Sequence, residues 1–225
     1  MKRNLDILFV LLATGGILMS QERFDYKVRD YFFAGFSGDA ASLDKGMKIC
    51  EDLIAANPKN APAMVWHGAG LFFESGQSFR SGDQKTALDL WQRGLKEMDD
   101  AAALAPDDLQ VRIPRGAVLL TASLSISNPG MARPLIEKGV GDLEKAYSIQ
   151  GPDLSGLATH SRGELLIGLA DGYSRLGNQD KAQEWFERIR KELPGTPYDK
   201  SAQTWLETKT LAPREAGCLG CHAGK

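Results

Sequence analysis

The residue types best suited to chemistry lie together in residues 217–224, which read GCLGCHAG. Two cysteines three positions apart can each form a thioether with one haem vinyl group. The histidine directly after them is then placed under the iron as its proximal ligand. The motif therefore predicts one covalent haem c, with Cys218 and Cys221 as the attachment residues and His222 as the axial ligand.

Other chemistries use a pair of cysteines at this spacing. A thioredoxin-like redox pair needs a strand before the motif and a helix after it, and with three residues after His222 we expect no such helix. A structural zinc site needs four ligands, which Cys50, His67 or His160 would have to complete. Because the chain has three cysteines and three histidines, finding three of these six residues within five positions favours haem attachment.

The beginning of the chain has the layout of an export signal. A short basic start, residues 1–4, precedes residues 5–19, LDILFVLLATGGILM, an apolar stretch short for a membrane span. Covalent haem attachment takes place on the far side of an energy-transducing membrane, so this layout and the haem motif predict each other. We expect residues 1–20 to be a signal peptide and the protein to be periplasmic or otherwise extracytoplasmic. Leu18 makes a poor cleavage site, so the alternative is an uncleaved anchor that associates with the membrane through residues 5–19.

Composition excludes some function classes. The formal net charge is −2, so we expect no nucleic-acid partner. Charged residues at 25% and apolar residues at 43% are typical of an ordinary soluble domain. The third cysteine, Cys50, lies on the apolar stripe of a predicted helix, where we expect it to pack as a small hydrophobic residue.

No catalytic signature accompanies these features. The sequence has no glycine-rich phosphate loop, no G-x-S-x-G and no H-E-x-x-H, and no carboxylate pair stands apart from the solvated charges. We predict no catalytic residues and favour an electron carrier or binding scaffold. An enzyme is the third hypothesis, since a five-coordinate haem could support peroxidase-like chemistry, but the sequence shows no distal Arg–His arrangement for it.

Helical periodicity dominates the rest of the chain and is clearest in residues 163–194. The first half of this unit has an apolar face, residues 176–178 make a turn, and the second half has another apolar face that ends at Pro194. The two faces consist of Leu166, Leu169, Ala170 and Tyr173, and of Ala182, Phe186 and Ile189. The unit resembles the tetratricopeptide repeat, a helix–turn–helix of 34 residues.

Weaker copies of this unit precede it. Residues 66–73 (WHGAGLFF) follow the opening pattern of a second repeat, and residues 44–56 fit the closing helix of a first. Helices around 117–126 and 134–147 would form a third. The prolines expected to close these units are Pro58, Pro106, Pro152 and Pro194, spaced 48, 46 and 42 residues apart. The excess over 34 residues is assigned to insertions such as residues 75–82 and to longer helices.

The fold predicted from this resemblance is all-α: a divergent tetratricopeptide-like solenoid of helical hairpins over residues 24–209, with about four repeats. A last helix over 198–209 would cap the array, with Trp205 and Leu206 facing inward. Residues 210–225 would form a linker and the haem motif. The resemblance implies a concave surface that binds a protein partner.

The sequence leaves the haem environment open. The nearest apolar candidates are Tyr198, Trp205, Leu206 and Leu211, each of which serves a core more often than a haem contact. Cytochromes commonly use Met or His as the sixth ligand. His160 and His67 are the remaining histidines, and for both a surface or hydrogen-bonded role competes with ligation. A ligand from a partner, or no sixth ligand, is equally allowed.

Two functions follow as hypotheses. The first is an exported monohaem c-type cytochrome on a tetratricopeptide-like scaffold, which exchanges electrons with a docked protein partner. The alternative is a non-redox periplasmic adaptor or assembly factor that binds peptides, with Cys218 and Cys221 free, disulfide-bonded or metal-bound.

Overall fold

A computed structural model describes residues 23–211, and within that range the chain is helical and contains no strand. This confirms the predicted all-α class. The α-helices of the described range are α1 (Asp25–Phe36), α2 (Ala40–Ala56), α3 (Ala61–Ser81), α4 (Gln84–Leu104), α5 (Leu109–Ala122), α6 (Pro129–Gln150), α7 (Thr159–Arg175), α8 (Gln179–Glu192) and α9 (Pro197–Thr208). A single 3₁₀ turn, Ser123–Ser125, follows α5. No helix between residues 23 and 211 is long and apolar enough to cross a membrane.

Local sequence signals set the helix boundaries. Seven of the nine α-helices in the described part begin after an Asp, Asn or Thr whose side chain accepts a hydrogen bond from a first-turn N–H. The four predicted closing prolines, Pro58, Pro106, Pro152 and Pro194, each lie two residues beyond the last residue of a helix. Since proline cannot donate the next helical hydrogen bond, it stops each of these helices sharply.

Consecutive helices pair into four hairpins. The pairs are α1 with α2, α3 with α4, α5 with α6, and α7 with α8, after which α9 packs mainly on α8 and also contacts α7. Helices α3, α5, α7 and α9 also contact one another in that order. The hairpins therefore follow one another in space as they do in sequence, and α9 covers the last of them.

Glycines allow two of the hairpins to close tightly. A Cβ added to Gly68 on α3 would lie 2.8 Å from the carbonyl oxygen of Gly94 on α4, and one added to Gly94 would lie 2.6 Å from that of Gly68. Gly116 and Gly139 make the corresponding approach between α5 and α6, at 3.1 Å. Larger side chains at these positions would push the paired helices apart.

The apolar core divides into two clusters that meet at the third hairpin. The first cluster extends from Val28 on α1 to Leu135 on α6, and the second from Leu120 on α5 to Trp205 on α9. Adjacent residues on each helix of this hairpin belong to different clusters, as Leu135 and Ile136 show. The α5–α6 hairpin therefore separates the two clusters and contributes to both.

A buried ionic network also joins the second and third hairpins. Asp142 on α6 is 1% exposed and accepts hydrogen bonds from Arg112 Nη1 at 2.6 Å and from Arg115 Nη1 at 2.9 Å. Arg115 also donates to Asp99 on α4, whose other oxygen accepts from Lys138 Nζ at 2.6 Å. The Asp142 carboxylate therefore faces two guanidinium groups inside the protein.

The structure refines two details of the predicted organisation. Residues 75–82, predicted as an insertion, lie at the end of α3, which continues through Ser81 and is followed by Gly82 with φ of +87°. Ser75 Oγ bonds back to the Phe72 carbonyl oxygen at 2.6 Å, which accommodates a turn-forming residue inside the helix. The third hairpin also begins earlier than predicted, since α5 starts at Leu109 with Pro114 inside it and α6 starts at Pro129.

Candidate functional site

The predicted haem-attachment residues Cys218, Cys221 and His222 lie outside the described residues, as does the predicted signal segment. The described part of the candidate site therefore consists of α9 and Leu211, to which residues 212–225 are joined, together with His67 and His160. Leu211, the last residue described, is partly buried and packs against the second core cluster.

Helix α9 is held on the body by Trp205. This side chain is fully buried and stacks on Phe186 of α8 with ring centroids 4.4 Å apart. Its Nε1 donates to Ser174 Oγ at 2.9 Å, and Lys209 Nζ lies 4.5 Å from the ring centroid on the outer side. Trp205 therefore serves the core, and Leu206 is partly buried against the same cluster.

Tyr198 fixes the other end of α9 against α7. A Cβ added to Gly163 would lie 2.3 Å from the Tyr198 ring, so the ring rests directly on the glycine backbone. The phenol oxygen lies 2.8 Å from Glu164 Oε1 and 2.9 Å from His160 Nδ1. Tyr198 is thus seated by packing on one side and by hydrogen bonds at its tip.

His160 is exposed and lies in the first turn of α7, which begins at Thr159, rather than in the loop before it. The Tyr198 phenol donates to Glu164 Oε1. The role of His160 Nδ1 in its contact with the same phenol oxygen depends on the tautomer of the ring.

His67 lies in a different environment, on α3 between α2 and α4. Its side chain is 15% exposed, with Nδ1 2.8 Å from Glu97 Oε2 and Nε2 3.9 Å from Glu51 Oε1. It lines a cavity of about 540 Å³ together with Asp44, Met47, Lys48, Glu51, Leu71, Glu74 and Arg93. Burial, reinforced by the Asp44 carboxylate, raises the pKa of Glu74 on the cavity wall. His67 is therefore a hydrogen-bonded histidine in a largely acidic cavity.

The two histidines differ in their distance from the end of the described chain. His160 contacts Tyr198 on α9, the last helix before Leu211. Three helix-to-helix steps separate α3, which carries His67, from α9, which amounts to about 27 Å between axes. Cys218 lies seven positions beyond Leu211.

The described residues hold no rival metal centre. Between residues 23 and 211 there is no group of three His, Cys, Asp or Glu side chains arranged to bind an ion. Cys50 is fully buried in the first core cluster, as predicted, and burial raises the pKa of its thiol to about 12. A thiol this buried is unsuited to complete a zinc site with Cys218 and Cys221.

Sequence reasoning did not identify Glu164 and Tyr198 as partners of His160. His160 and Glu164 are four residues apart, a spacing that places two side chains on one face of a helix. The sequence could have shown this pair if the start of α7 had been predicted at Thr159. The contribution of Tyr198 depends on how α9 returns over α7, which the sequence did not indicate.

Comparison of the chain with protein-family models, curated proteins and solved structures gave no match.

Proposed function

We propose that this protein is an exported monohaem c-type cytochrome, in which a body of helical hairpins positions a haem attached near residue 222 and docks a protein partner. The observation that carries the proposal is the Cys-x-x-Cys-His sequence at residues 218–222. Cys218 and Cys221 would form the thioethers and His222 would bind the iron. Haem bound in this way supplies one-electron exchange between ferrous and ferric iron.

The donor set suits haem attachment. Two thiols and an adjacent imidazole match the two vinyl groups and the iron of one haem. A zinc ion would need a fourth ligand and would gain none from Cys50, which is buried in the first cluster. The body supports the proposal as well, because Trp205 and Tyr198 hold α9 firmly and so fix the origin of the segment that carries the motif.

The tetratricopeptide-like resemblance supplies the rest of the proposal. Four successive hairpins covered by a last helix agree with such an array. In this arrangement each hairpin contacts its neighbours and the stack presents a concave face to a protein partner. An export signal in residues 1–20 would place the protein outside the cytoplasm, where covalent haem attachment takes place.

Mass and thiol counting test the proposal together. The full chain, produced in a host that matures c-type cytochromes, should have the mass of one added haem. After unfolding and reduction it should show one reactive thiol, Cys50, because thioethers survive reduction and disulfides do not. The matched control is Cys218→Ser with Cys221→Ser, which should carry no haem and also show one thiol.

A wild-type chain with no added mass and three thiols after reduction would overturn the proposal. That result would favour the peptide-binding adaptor. Deletion of residues 217–225 should then leave partner binding intact.

A further inference from the structure

Opposed glycines give the second and third hairpins the same geometry where their helices come closest. In each hairpin, a glycine of the opening helix lies against the carbonyl oxygen of a glycine of the closing helix. The pairs are Gly68 with Gly94, and Gly116 with Gly139. The residue directly before the opening-helix glycine is His67 in the second hairpin and Arg115 in the third. These two side chains therefore occupy matching positions in successive hairpins.

The carboxylates that these two side chains meet also match. His67 Nδ1 lies 2.8 Å from Glu97 Oε2, and Arg115 Nη1 donates to Asp142 Oδ1 at 2.9 Å. Glu97 and Asp142 each come three residues after the glycine of their closing helix. The second hairpin therefore has an imidazole where the third has a guanidinium, against the same carboxylate position.

The junction between the second and third hairpins is rich in cations. Asp142 accepts from Arg112 as well as from Arg115, and Arg115 also donates to Asp99 on α4, the closing helix of the preceding hairpin. Lys138 Nζ lies 2.6 Å from the other Asp99 oxygen. Three cationic side chains therefore meet two carboxylates at this junction.

The junction between the first and second hairpins has fewer cations to offer. His67 Nε2 lies 3.9 Å from Glu51 Oε1 on α2, the closing helix of the preceding hairpin. Arg93 matches Lys138 in position, directly before the closing-helix glycine, yet its Nη1 lies 3.3 Å from Asp89 on its own helix. Unlike a guanidinium, an imidazole is not permanently charged. The carboxylates of this junction therefore lack the fixed cation that the next junction has.

This junction also contains a cavity of about 540 Å³, between α2, α3 and α4. The buried side chains of Met47 and Leu71 supply apolar walls. Asp44 and Glu74 line it as well, and neither forms a hydrogen bond or ion pair with any residue between 23 and 211. Burial, reinforced by Asp44, raises the pKa of the Glu74 carboxyl, so a cation added here would favour its ionised form.

We propose that this cavity binds a guanidinium group on an alkyl chain, with Glu51 and Glu74 holding the guanidinium and the walls formed by Met47 and Leu71 accepting the alkyl chain. Arg115 identifies the ligand class, because there the chain itself places a guanidinium between the carboxylates of the matching junction. A planar guanidinium can donate to two carboxylates at once, which a compact ammonium does less well. The inference uses described residues alone and goes beyond the proposed function, since it requires no haem.

Calorimetric titration of the full chain with N-acetyl-arginine amide tests the site. N-acetyl-citrulline amide, which has nearly the same shape and no charge, is the control ligand. We expect it to bind about tenfold or more weakly than the arginine probe, because it loses charge-assisted hydrogen bonds. Agmatine carries the same guanidinium without a peptide unit. The tighter of agmatine and the arginine probe shows whether the guanidinium comes from a small free cation or from a peptide.

Two variants locate the binding. The double variant Glu51→Gln with Glu74→Gln should weaken the arginine probe about tenfold or more. His67→Arg should do the same, because it gives this junction the guanidinium that Arg115 gives the next one. Glu184→Gln, which changes an exposed carboxylate on α8, is the matched control and should bind as the wild type does.

Two results would overturn the inference: an arginine probe that binds no better than the citrulline probe, or one that binds the double variant as tightly as it binds Glu184→Gln. Glu51 is exposed and Glu74 is partly exposed, so the helical circular dichroism of the double variant should match that of the wild type. The covalent haem is measured separately by mass, so failure of this inference and failure of the proposed function are distinguishable.

Discussion

Trp205 should be the residue on which the attachment of α9 depends most. Only Ala202 and Trp205 are buried on this helix, and Trp205 is fully enclosed against Phe186. Replacing a buried tryptophan by alanine costs about 3 to 5 kcal/mol, through lost burial and the cavity left behind. The half-buried Ser174 hydroxyl, which accepts from Trp205 Nε1, would also lose its partner, at about 1 kcal/mol. We therefore expect Trp205→Ala to cost about 4 kcal/mol or more.

The loss should be local. In a stack where each hairpin contacts its neighbours, destabilisation of the last helix falls on that helix and on the hairpin beneath it. Since about 1.4 kcal/mol corresponds to a factor of ten, amide exchange in α9 should accelerate by roughly a thousandfold. Amides of α3 and α4, whose side chains lie in the first cluster, should keep their protection.

Trp185→Ala is the matched control. Trp185 is half-buried on α8 and meets Tyr147 edge-on, with ring centroids 5.0 Å apart. Trp185→Ala should lower the free energy of unfolding by about 1 kcal/mol, because a partly exposed side chain contributes less to stability than a fully buried one. Equal losses for the two tryptophans, or exchange that accelerates as much in α3 as in α9, would refute the reasoning.

Three further outcomes are expected. Cys50 should resist thiol reagents in the folded protein, because its pKa is about 12, and react at once in denaturant; comparable labelling in both states would contradict its burial. Asp142→Asn should cost about 3 kcal/mol in urea unfolding, since the buried Arg115 and the part-buried Arg112 both lose a carboxylate partner; a cost under about 1 kcal/mol would contradict this. Hydrogen bonds from Ser42 and Thr86 lower the pKa of Asp39 and Asp83. The stability that these two ionised carboxylates contribute is therefore present above about pH 4 and is lost as the pH falls through their pKa in the folded protein. The double variant Asp39→Asn with Asp83→Asn, which keeps the caps, should therefore lose less stability than wild type between about pH 6 and about pH 3; an unchanged pH dependence would count against it.

The helical class and many boundaries could be predicted from sequence because local chemistry sets them. Each closing proline lies two residues after a helix, and the last helix, predicted over 198–209, occupies Pro197–Thr208. The burial of Cys50 and Trp205 was predicted from helical periodicity and is confirmed. The resemblance to tetratricopeptide repeats stays a prediction.

Other features could not be predicted because they depend on tertiary contacts. The serines and Gly76 of residues 75–81 favour a turn locally, yet α3 continues through Ser81, with Ser75 bonding back to the Phe72 carbonyl oxygen. The close approach of Gly68 to Gly94 depends on how α3 and α4 cross, which periodicity does not specify. In the same way, the link between His160 and Tyr198 joins residues 38 positions apart.

The division of the core into two clusters bears on the order in which the molecule is made. The first cluster is built from residues between Val28 and Leu135, so a chain synthesised from its N-terminus can close it before the second cluster exists. Leu120 and Ile136 of the α5–α6 hairpin would then already be in place when α7, α8 and α9 are made, and these helices would pack against them. At no stage of synthesis would the whole apolar core be open to water, which limits the chance of aggregation before the chain is complete.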